Sequence, residues 1–148
     1  MDTQVGRSSL FEDDEYAWIG EQIEALRAGR YDALDRENLV QFLSDMASRD
    51  RRELRSRLTI LAHHLLIVAF QPGKASKSWA LTIQQQQDEI SAILEESRTL
   101  AREADSLLAK GYPAAVRRAS RETGIALGAF PPTCPYTVRQ MLEAKDGP

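Results

Sequence analysis

Apolar residues recur at steps of three and four along most of the chain, which is the spacing of one face of an α-helix. The first such row follows the acidic run at residues 12–15, and acidic side chains favour the N-terminus of a helix. Gly29 is suited to end this helix. We predict that the row faces the core; its members are Tyr16, Ile19, Ile23 and Leu26.

A longer apolar row begins after Asp35, which is placed to cap a second helix. Its members are Leu39, Leu43, Met46, Leu54, Leu58, Leu61, Leu65 and Val68. One straight helix over residues 36–70 would be about 53 Å long, whereas a compact domain of this length is about 38 Å across. Because Asp50 and Glu53 resemble a capping box, we predict a break or kink at residues 48–50.

The segment from Ile60 to Phe70 is apolar on almost all sides, so we expect it to be the most buried part of the molecule. Pro72 and Gly73 end it, and Ser76 or Ser78 can cap the following helix. We therefore predict a helix-loop-helix corner near residues 71–78. The row of the following helix consists of Trp79, Ile83, Ile90 and Leu94, with Gln86 or Gln87 facing inward between them.

The last third of the chain is also helical in pattern. A kink or break is predicted at residues 111–113, where Pro113 lacks a backbone N–H. Gly124 ends that run, and Pro135 is placed to open a last short helix through Leu142. The predicted fold is all-α: a single-domain bundle of about five to six helices over residues 11–143, with flexible ends at 1–10 and 144–148.

Charge is distributed unevenly along a chain whose net charge is −3. Residues 1–45 hold 4 basic and 11 acidic side chains, whereas residues 46–80 hold 7 basic and 2 acidic ones. The net charge argues against a general affinity for nucleic acid. The alternation fits antiparallel segments that neutralise one another, and it also fits a face that binds a charged partner. We favour pairing within the chain.

Three sequence features predict a cytoplasmic protein that does not cross a membrane. The single cysteine, Cys134, cannot form an internal disulfide, which suits a reducing compartment. No basic and apolar leader is expected at the N-terminus. The longest apolar stretch is about half of a membrane span. Cys134 precedes Pro135, where a helix start can lower a thiol pKa, but without a nearby base we predict a structural, partly buried cysteine.

Three stretches together resemble a bacterial family known only as a domain of unknown function, number twenty-nine. They are FEDDEYAWIGEQIEALRAGRYDALDRENL, then RRELRSRL with HLLIVAFQPGKASKSWALTI, and finally RETGIALGAFPPTCPYTVRQML. The resemblance covers roughly residues 10–142 and implies an all-helical fold with no agreed activity. The chain departs from the family's usual residues at Gln41, Phe42, Ser44, Ala47, Ile67, Val68, Ala80 and Gln87.

The adjacent histidines His63 and His64 are the first candidates for chemistry. Neighbouring residues on a helix point about 100° apart, so the two cannot bind one metal ion from the same face. No acidic residue lies within seven positions of either, unlike the metal motifs of helical bundles. We predict that His64 is a hydrogen-bonded interior residue and that His63 lies near the surface. No metal and no cofactor are predicted.

A small pocket at the helix corner is the basis for an alternative function. A buried glutamine needs hydrogen-bond partners, and the neighbouring polar residues of the corner are plausible ones. The candidate lining consists of His64, Gln71, Trp79, Thr82 and Gln86. This alternative makes the protein a binder of a small ligand or metal, or an enzyme that uses the His64–Trp79 corner.

The densest cationic feature suggests a third function. It contains Arg49, Arg51, Arg52, Arg55 and Arg57. Such a run can bind the phosphates of nucleic acid. However, Glu53 with Arg57 and Asp45 with Arg49 have the spacing of ion pairs within one helix, and no aromatic residue is interleaved. A solvated or internally paired helix face is the favoured interpretation.

No phosphate loop, paired-carboxylate motif or nucleophile elbow is found in the sequence. The favoured function is therefore a non-enzymatic protein-interaction or regulatory domain, of which an antitoxin-like role is one concrete version. The expected partner is another protein, with a homodimer as a further option, and neither nucleic acid nor a membrane is expected.

Overall fold

A computed structural model of the protein describes residues 10–74 and 76–145, and these residues contain helices and no strand. Residues 10–13 are helical, and five further α-helices follow in chain order. These are α1 (Glu15–Arg27), α2 (Arg36–Phe70), α3 (Lys77–Glu96), α4 (Arg98–Thr123) and α5 (Val138–Glu143). Short 3₁₀ turns occupy Tyr31–Ala33, Pro72–Lys74 and Leu127–Ala129. The predicted all-α class is confirmed, and so is the corner between α2 and α3.

The chain divides into two compact units, Met1–Arg49 and Asp50–Pro148, and the boundary falls within α2. A single domain over residues 11–143 stays a prediction. The predicted flexible ends lie almost entirely outside the described residues.

Helix α1 buries a different face from the predicted one. Its buried residues are Trp18, Gln22 and Ala25, whereas Tyr16 is 89% exposed and Ile23 and Leu26 are also exposed. The prediction was wrong because α1 carries two apolar rows, and the row that contains the indole is the one that packs. The ring of Trp18 lies 4.7 Å from that of Phe11 and 5.6 Å from that of Phe42, both edge-on.

Asp35 caps α2, as predicted, and also joins it to α1. Its carboxylate accepts hydrogen bonds from the backbone N–H and the side-chain amide of Asn38 and from Nε1 of Trp18, the last at 3.0 Å. The backbone N–H of Asp35 donates to Oε1 of Gln22 at 2.8 Å. This network satisfies polar groups of both helices in the first unit and fixes the position of the connecting turn.

Helix α2 is continuous over 35 residues, so the predicted break at residues 48–50 is wrong. No glycine or proline interrupts the helix, and Glu53 pairs with Arg57 one turn later, at 3.2 Å. The predicted apolar row is buried only in its second half. Every residue from Leu43 to Glu53 is exposed, whereas burial is nearly complete at Leu54, Leu58, Leu61 and Leu65.

The core of the second unit contains two clusters of buried side chains. The larger cluster combines leucines of α2 with Ile83 and Ile90 of α3, Leu108 of α4 and Met141 of α5. The smaller cluster consists of Leu66, Ile67, Tyr112, Ala119 and Phe130, against which Trp79 packs. Ser76 caps α3 by accepting the N–H of Trp79, so one of the two predicted caps is confirmed.

Helix α4 passes through Pro113 without ending, so the predicted break at residues 111–113 is wrong. Gly124, with a φ of 74°, ends the helix as predicted. Gly111 is buried, and its Cα faces the Oγ1 atom of Thr59 on α2 so closely that a Cβ atom there would overlap it. The glycine therefore permits a close approach of α4 to α2.

The last helix starts at Val138, so the prediction that Pro135 opens it is wrong. Thr137 and Gln140 form a capping box, which is a stronger N-terminal signal than a proline. Residues 131–136 are instead irregular, and the hydroxyl of Tyr112 donates to the carbonyl oxygen of Pro131 at 2.7 Å. Burial, followed by the nearby Cys134 and Tyr136, raises the pKa of Tyr112 to about 12, which keeps this donor protonated.

Candidate functional site

The two corner residues that lie on or after α2 each bond to backbone. Nδ1 of His64 contacts the carbonyl oxygen of Ile60, one turn earlier in the same helix, at 3.0 Å. The amide of Gln71 donates to the carbonyl oxygen of Thr123 at the end of α4, at 3.4 Å. His64 is only half-buried, so the prediction that it is the interior histidine is wrong.

The three corner residues on α3 share one face, at steps of three and four. The hydroxyl of Thr82 donates to the carbonyl oxygen of Ser78 at 2.9 Å, within the same helix. Gln86 is buried, and its Oε1 accepts from Nη1 of Arg57 at 3.4 Å rather than from a corner residue. None of the five predicted lining residues is hydrogen-bonded to another of them, and the pocket stays a prediction.

Both glutamines in the middle of α3 cover the core, where the sequence required only one. Gln87 is half-buried, and its Nε2 donates to the carbonyl oxygens of Met141 and Ala144 at 2.9 and 2.7 Å. The partners predicted for these amides, at the corner, are therefore wrong. The correct ones lie on α2 and α5, and the order of residues in the sequence gives no indication of them.

His63 is the buried member of the histidine pair, against the prediction, because it faces α4. Its Nε2 lies 2.9 Å from Oε2 of Glu122, which is 59 positions away in the sequence. Burial is the main reason that the pKa of His63 is lowered below its usual value of 6.5, and the neighbouring His64 adds to this. Glu122 opposes the shift. The dyad has the elements of a base held by a carboxylate.

The lowered pKa of His63 makes stability depend on pH in a defined direction. Above pH 6.5 the imidazole is neutral in both the folded and the unfolded chain. Below pH 6.5 the unfolded chain takes up the proton first, so the free energy of unfolding falls until the pH reaches the folded-state pKa. We expect this loss to be absent in His63→Gln, as measured by urea unfolding at a series of pH values between 7 and 5.

The matched control is His64→Gln, which removes the adjacent and less buried imidazole. This variant is expected to keep most of the pH dependence, because burial of His63 is the first cause of its shift and Glu122 remains in place. Equal pH profiles for His63→Gln and the unmodified protein would show that the dyad does not contribute to stability in this range.

The basic run on α2 is partly neutralised within the second unit. Arg51 binds Glu103 of α4 through two contacts, at 2.9 and 3.4 Å. The hydrogen bond to Glu103, and then its charge, raise the pKa of Arg51 above its usual value. Arg57 lies 3.2 Å from Glu53 and 3.9 Å from Glu89. Pairing within the chain is therefore confirmed for these two arginines.

The other three arginines of the run are exposed and form no ion pair with any described residue. They are Arg49, Arg52 and Arg55. The predicted Asp45–Arg49 pair is absent, because both side chains extend into solvent on a stretch of α2 without tertiary neighbours. Three free guanidinium groups are a small electrostatic footprint for binding nucleic acid.

Large exposed apolar side chains are concentrated in the first unit. Ten are found among the described residues, and seven of these belong to residues 16–46. The seven are Tyr16, Ile23, Leu26, Tyr31, Val40, Leu43 and Met46, and we call them the exposed apolar set. Sequence analysis assigned five of them to core rows, because periodicity identifies an apolar face without showing what covers it.

An open cavity of about 320 Å³ lies among α3, α4 and α5. It is lined by Leu94, Ala101, Ala104, Asp105, Val138, Arg139, Leu142 and Glu143. Two of its charged groups pair with each other, Arg139 with Glu143 at 3.1 Å, and Asp105 accepts the backbone N–H of Val138. The cavity therefore presents mainly apolar surface and no converging polar groups.

Cys134 is half-buried and packs against both core clusters, as predicted for a structural cysteine. Burial raises the pKa of its thiol, which disfavours the reactive thiolate. The described residues also include no group of three or more side chains placed to bind a metal ion. No helix in the described part of the chain has the length and apolar character needed to cross a bilayer.

Comparison with protein families gives one match: the model described as "Domain of unknown function DUF29" covers residues 10–145. This range includes all of the helices above and nearly coincides with the stretch of the resemblance seen in the sequence. Comparisons with curated proteins and with solved structures find no match.

Proposed function

Because this chain belongs to the family of the domain of unknown function DUF29, whose description assigns no activity, we propose a function from its surface. We infer that it is a non-enzymatic bacterial protein of the cytoplasm that binds another protein through the exposed apolar set of the first unit. A regulatory role, of which an antitoxin is one example, is the form of this function that best suits a small helical chain.

The observation that carries the proposal is the placement of the seven large apolar side chains. Water-exposed side chains of this size are unfavourable in a free protein, and a concentration of them is typical of a surface that a partner covers. Two tyrosines and a methionine are among the seven, and these residue types are enriched in protein interfaces. The row on α1, formed by Tyr16, Ile23 and Leu26, is the part assigned to the partner protein.

The charge of the first unit indicates what surrounds the apolar side chains on the partner. Residues 1–45 hold 4 basic and 11 acidic side chains, and most of these lie in the described part. Acidic residues at the rim of an interface attract a basic partner and reject an acidic one. We therefore propose a partner with an apolar groove and a rim rich in lysine or arginine.

The test is affinity capture of the tagged protein from its host lysate, with and without nuclease, in parallel with two variants. Tyr16→Asp/Ile23→Asp places charges in the α1 row, and both positions are exposed, so the fold is expected to persist. Leu81→Asp is the control, because Leu81 is 66% exposed but belongs to α3 of the second unit. Circular dichroism verifies that each variant is folded.

We expect one stoichiometric protein that survives nuclease, binds the unmodified chain and Leu81→Asp, and is lost from the double variant. Retention of that protein by the double variant would contradict the proposed surface. Capture that depends on intact nucleic acid would instead favour the exposed arginines of α2 as the functional group.

A further inference from the structure

The part of α2 that belongs to the first unit carries its own exposed apolar row. Val40, Leu43 and Met46 are 66%, 59% and 47% exposed, and Ala47 beside them is exposed as well. These residues recur at steps of three and four, so they lie along one side of the helix. Phe42 points elsewhere, toward Trp18 of α1. The row is thus separate from the contact that holds α1 and α2 together.

Charged residues flank this row with opposite signs at its two ends. Glu37 lies six positions before Leu43, and Arg49 lies six positions after it. Both are exposed, and neither forms an ion pair with any residue that the structure describes. One end of the row therefore carries a free negative charge and the other end a free positive charge.

A second copy of the same helix, placed antiparallel about a two-fold axis at Leu43, complements this pattern. Leu43 then faces its own copy, and Val40 faces Met46 on both sides of the axis. Glu37 of each chain faces Arg49 of the other, which gives two attractive pairs. A parallel arrangement would place Glu37 against Glu37 and Arg49 against Arg49, so the charges select the antiparallel one.

We propose that the α2 row, formed by Val40, Leu43, Met46 and Ala47, is the interface of an antiparallel homodimer. This inference rests on the proposed function in treating the first unit as a binding surface, and it names one partner, a second copy of the chain. An isologous interface of this kind is the most common arrangement among oligomers and closes on itself without forming fibres. The α1 row remains free for a different protein.

Sedimentation velocity over a range of concentrations tests the interface. The unmodified protein is expected to sediment as a dimer at micromolar concentration, and Leu43→Asp, which places two carboxylates at the axis, is expected to raise the dissociation constant at least about a hundredfold. Leu81→Asp, the same change at an exposed leucine of α3, is expected to leave it unchanged. Circular dichroism verifies that both variants are folded.

A charge exchange tests the orientation. Glu37→Arg and Arg49→Glu each create two repulsive pairs and are expected to weaken dimerisation about tenfold. The double variant Glu37→Arg/Arg49→Glu restores both pairs in reversed sense, and its dissociation constant is expected to return to within about twofold of the original. A parallel dimer would show no such rescue.

A monomeric unmodified protein at 100-fold the expected concentration, or a dimer that Leu43→Asp leaves intact, would overturn the inference. Either outcome is independent of the proposed function, since the capture experiment uses substitutions on α1 and reports a different protein. Loss of the captured protein on Tyr16→Asp/Ile23→Asp together with a monomeric chain would leave the proposed function standing alone.

Discussion

Replacing Trp18 with alanine is expected to lower the free energy of unfolding of the first unit by about 3–5 kcal/mol. The side chain is 1% exposed and packs edge-on between Phe11 and Phe42. Its Nε1 also donates to Asp35, the cap of α2. Removing the indole leaves a cavity between two helices and deprives the capping carboxylate of one donor, so both apolar packing and the turn at residues 28–35 are weakened.

Urea unfolding followed by circular dichroism measures this loss, and the fluorescence of Trp79 reports the second unit separately. Two variants separate the contributions. Trp18→Phe keeps most of the apolar volume and loses the N–H donor, so an intermediate loss is expected. Tyr16→Ala removes an aromatic ring from an exposed position two residues away and is expected to change little. Equal effects of Trp18→Ala and Tyr16→Ala would contradict the assignment of the buried face of α1.

Replacing Gly111 with alanine is expected to destabilise the second unit by about 1–3 kcal/mol, the cost of overpacking a filled core. The direction is unusual, because alanine normally stabilises the interior of a helix by about 0.5–1 kcal/mol relative to glycine. Here the added methyl group meets Oγ1 of Thr59, which is itself fixed by a hydrogen bond to the carbonyl oxygen of Arg55 at 2.7 Å. Helices α2 and α4 must separate to make room for it.

The same substitution at Gly20 is the matched control. Gly20 lies within α1, and a Cβ atom there meets nothing within 4 Å, so Gly20→Ala is expected to stabilise the protein. The pair of variants therefore compares one chemical change in a crowded and an open helix, with thermal and urea unfolding as the measurement. A stabilising effect at both positions would show that the contact between Gly111 and Thr59 is not a packing constraint.

The fold class could be predicted from the sequence because helix periodicity, caps and stop signals are local. The Asp35 cap, the end of α4 at Gly124 and the corner after Phe70 are all encoded within a few residues of where they occur. The predicted breaks failed for the opposite reason. A proline within a helix is tolerated when packing on both sides holds the backbone in place, and those contacts at Pro113 come from distant segments.

The candidate sites were harder to predict, because each depends on which face of a helix is covered. His63 and His64 are adjacent, and only the position of α4 decides that His63 is buried against Glu122. In α1, two apolar rows compete for the core, and the larger surface of Trp18 decides the outcome. Periodicity could reveal both rows but could not show that the other one remains exposed.

The last helix shows in what order the chain can fold. Helix α5 has only six residues, too few to form alone in water, and its ends are completed by residues far away in sequence. Asp105 of α4 accepts the N–H of Val138, and Gln87 of α3 donates to the carbonyl oxygens of Met141 and Ala144. Helices α3 and α4 must therefore be docked before α5 can persist, so the C-terminal segment closes the second unit as the final step of folding.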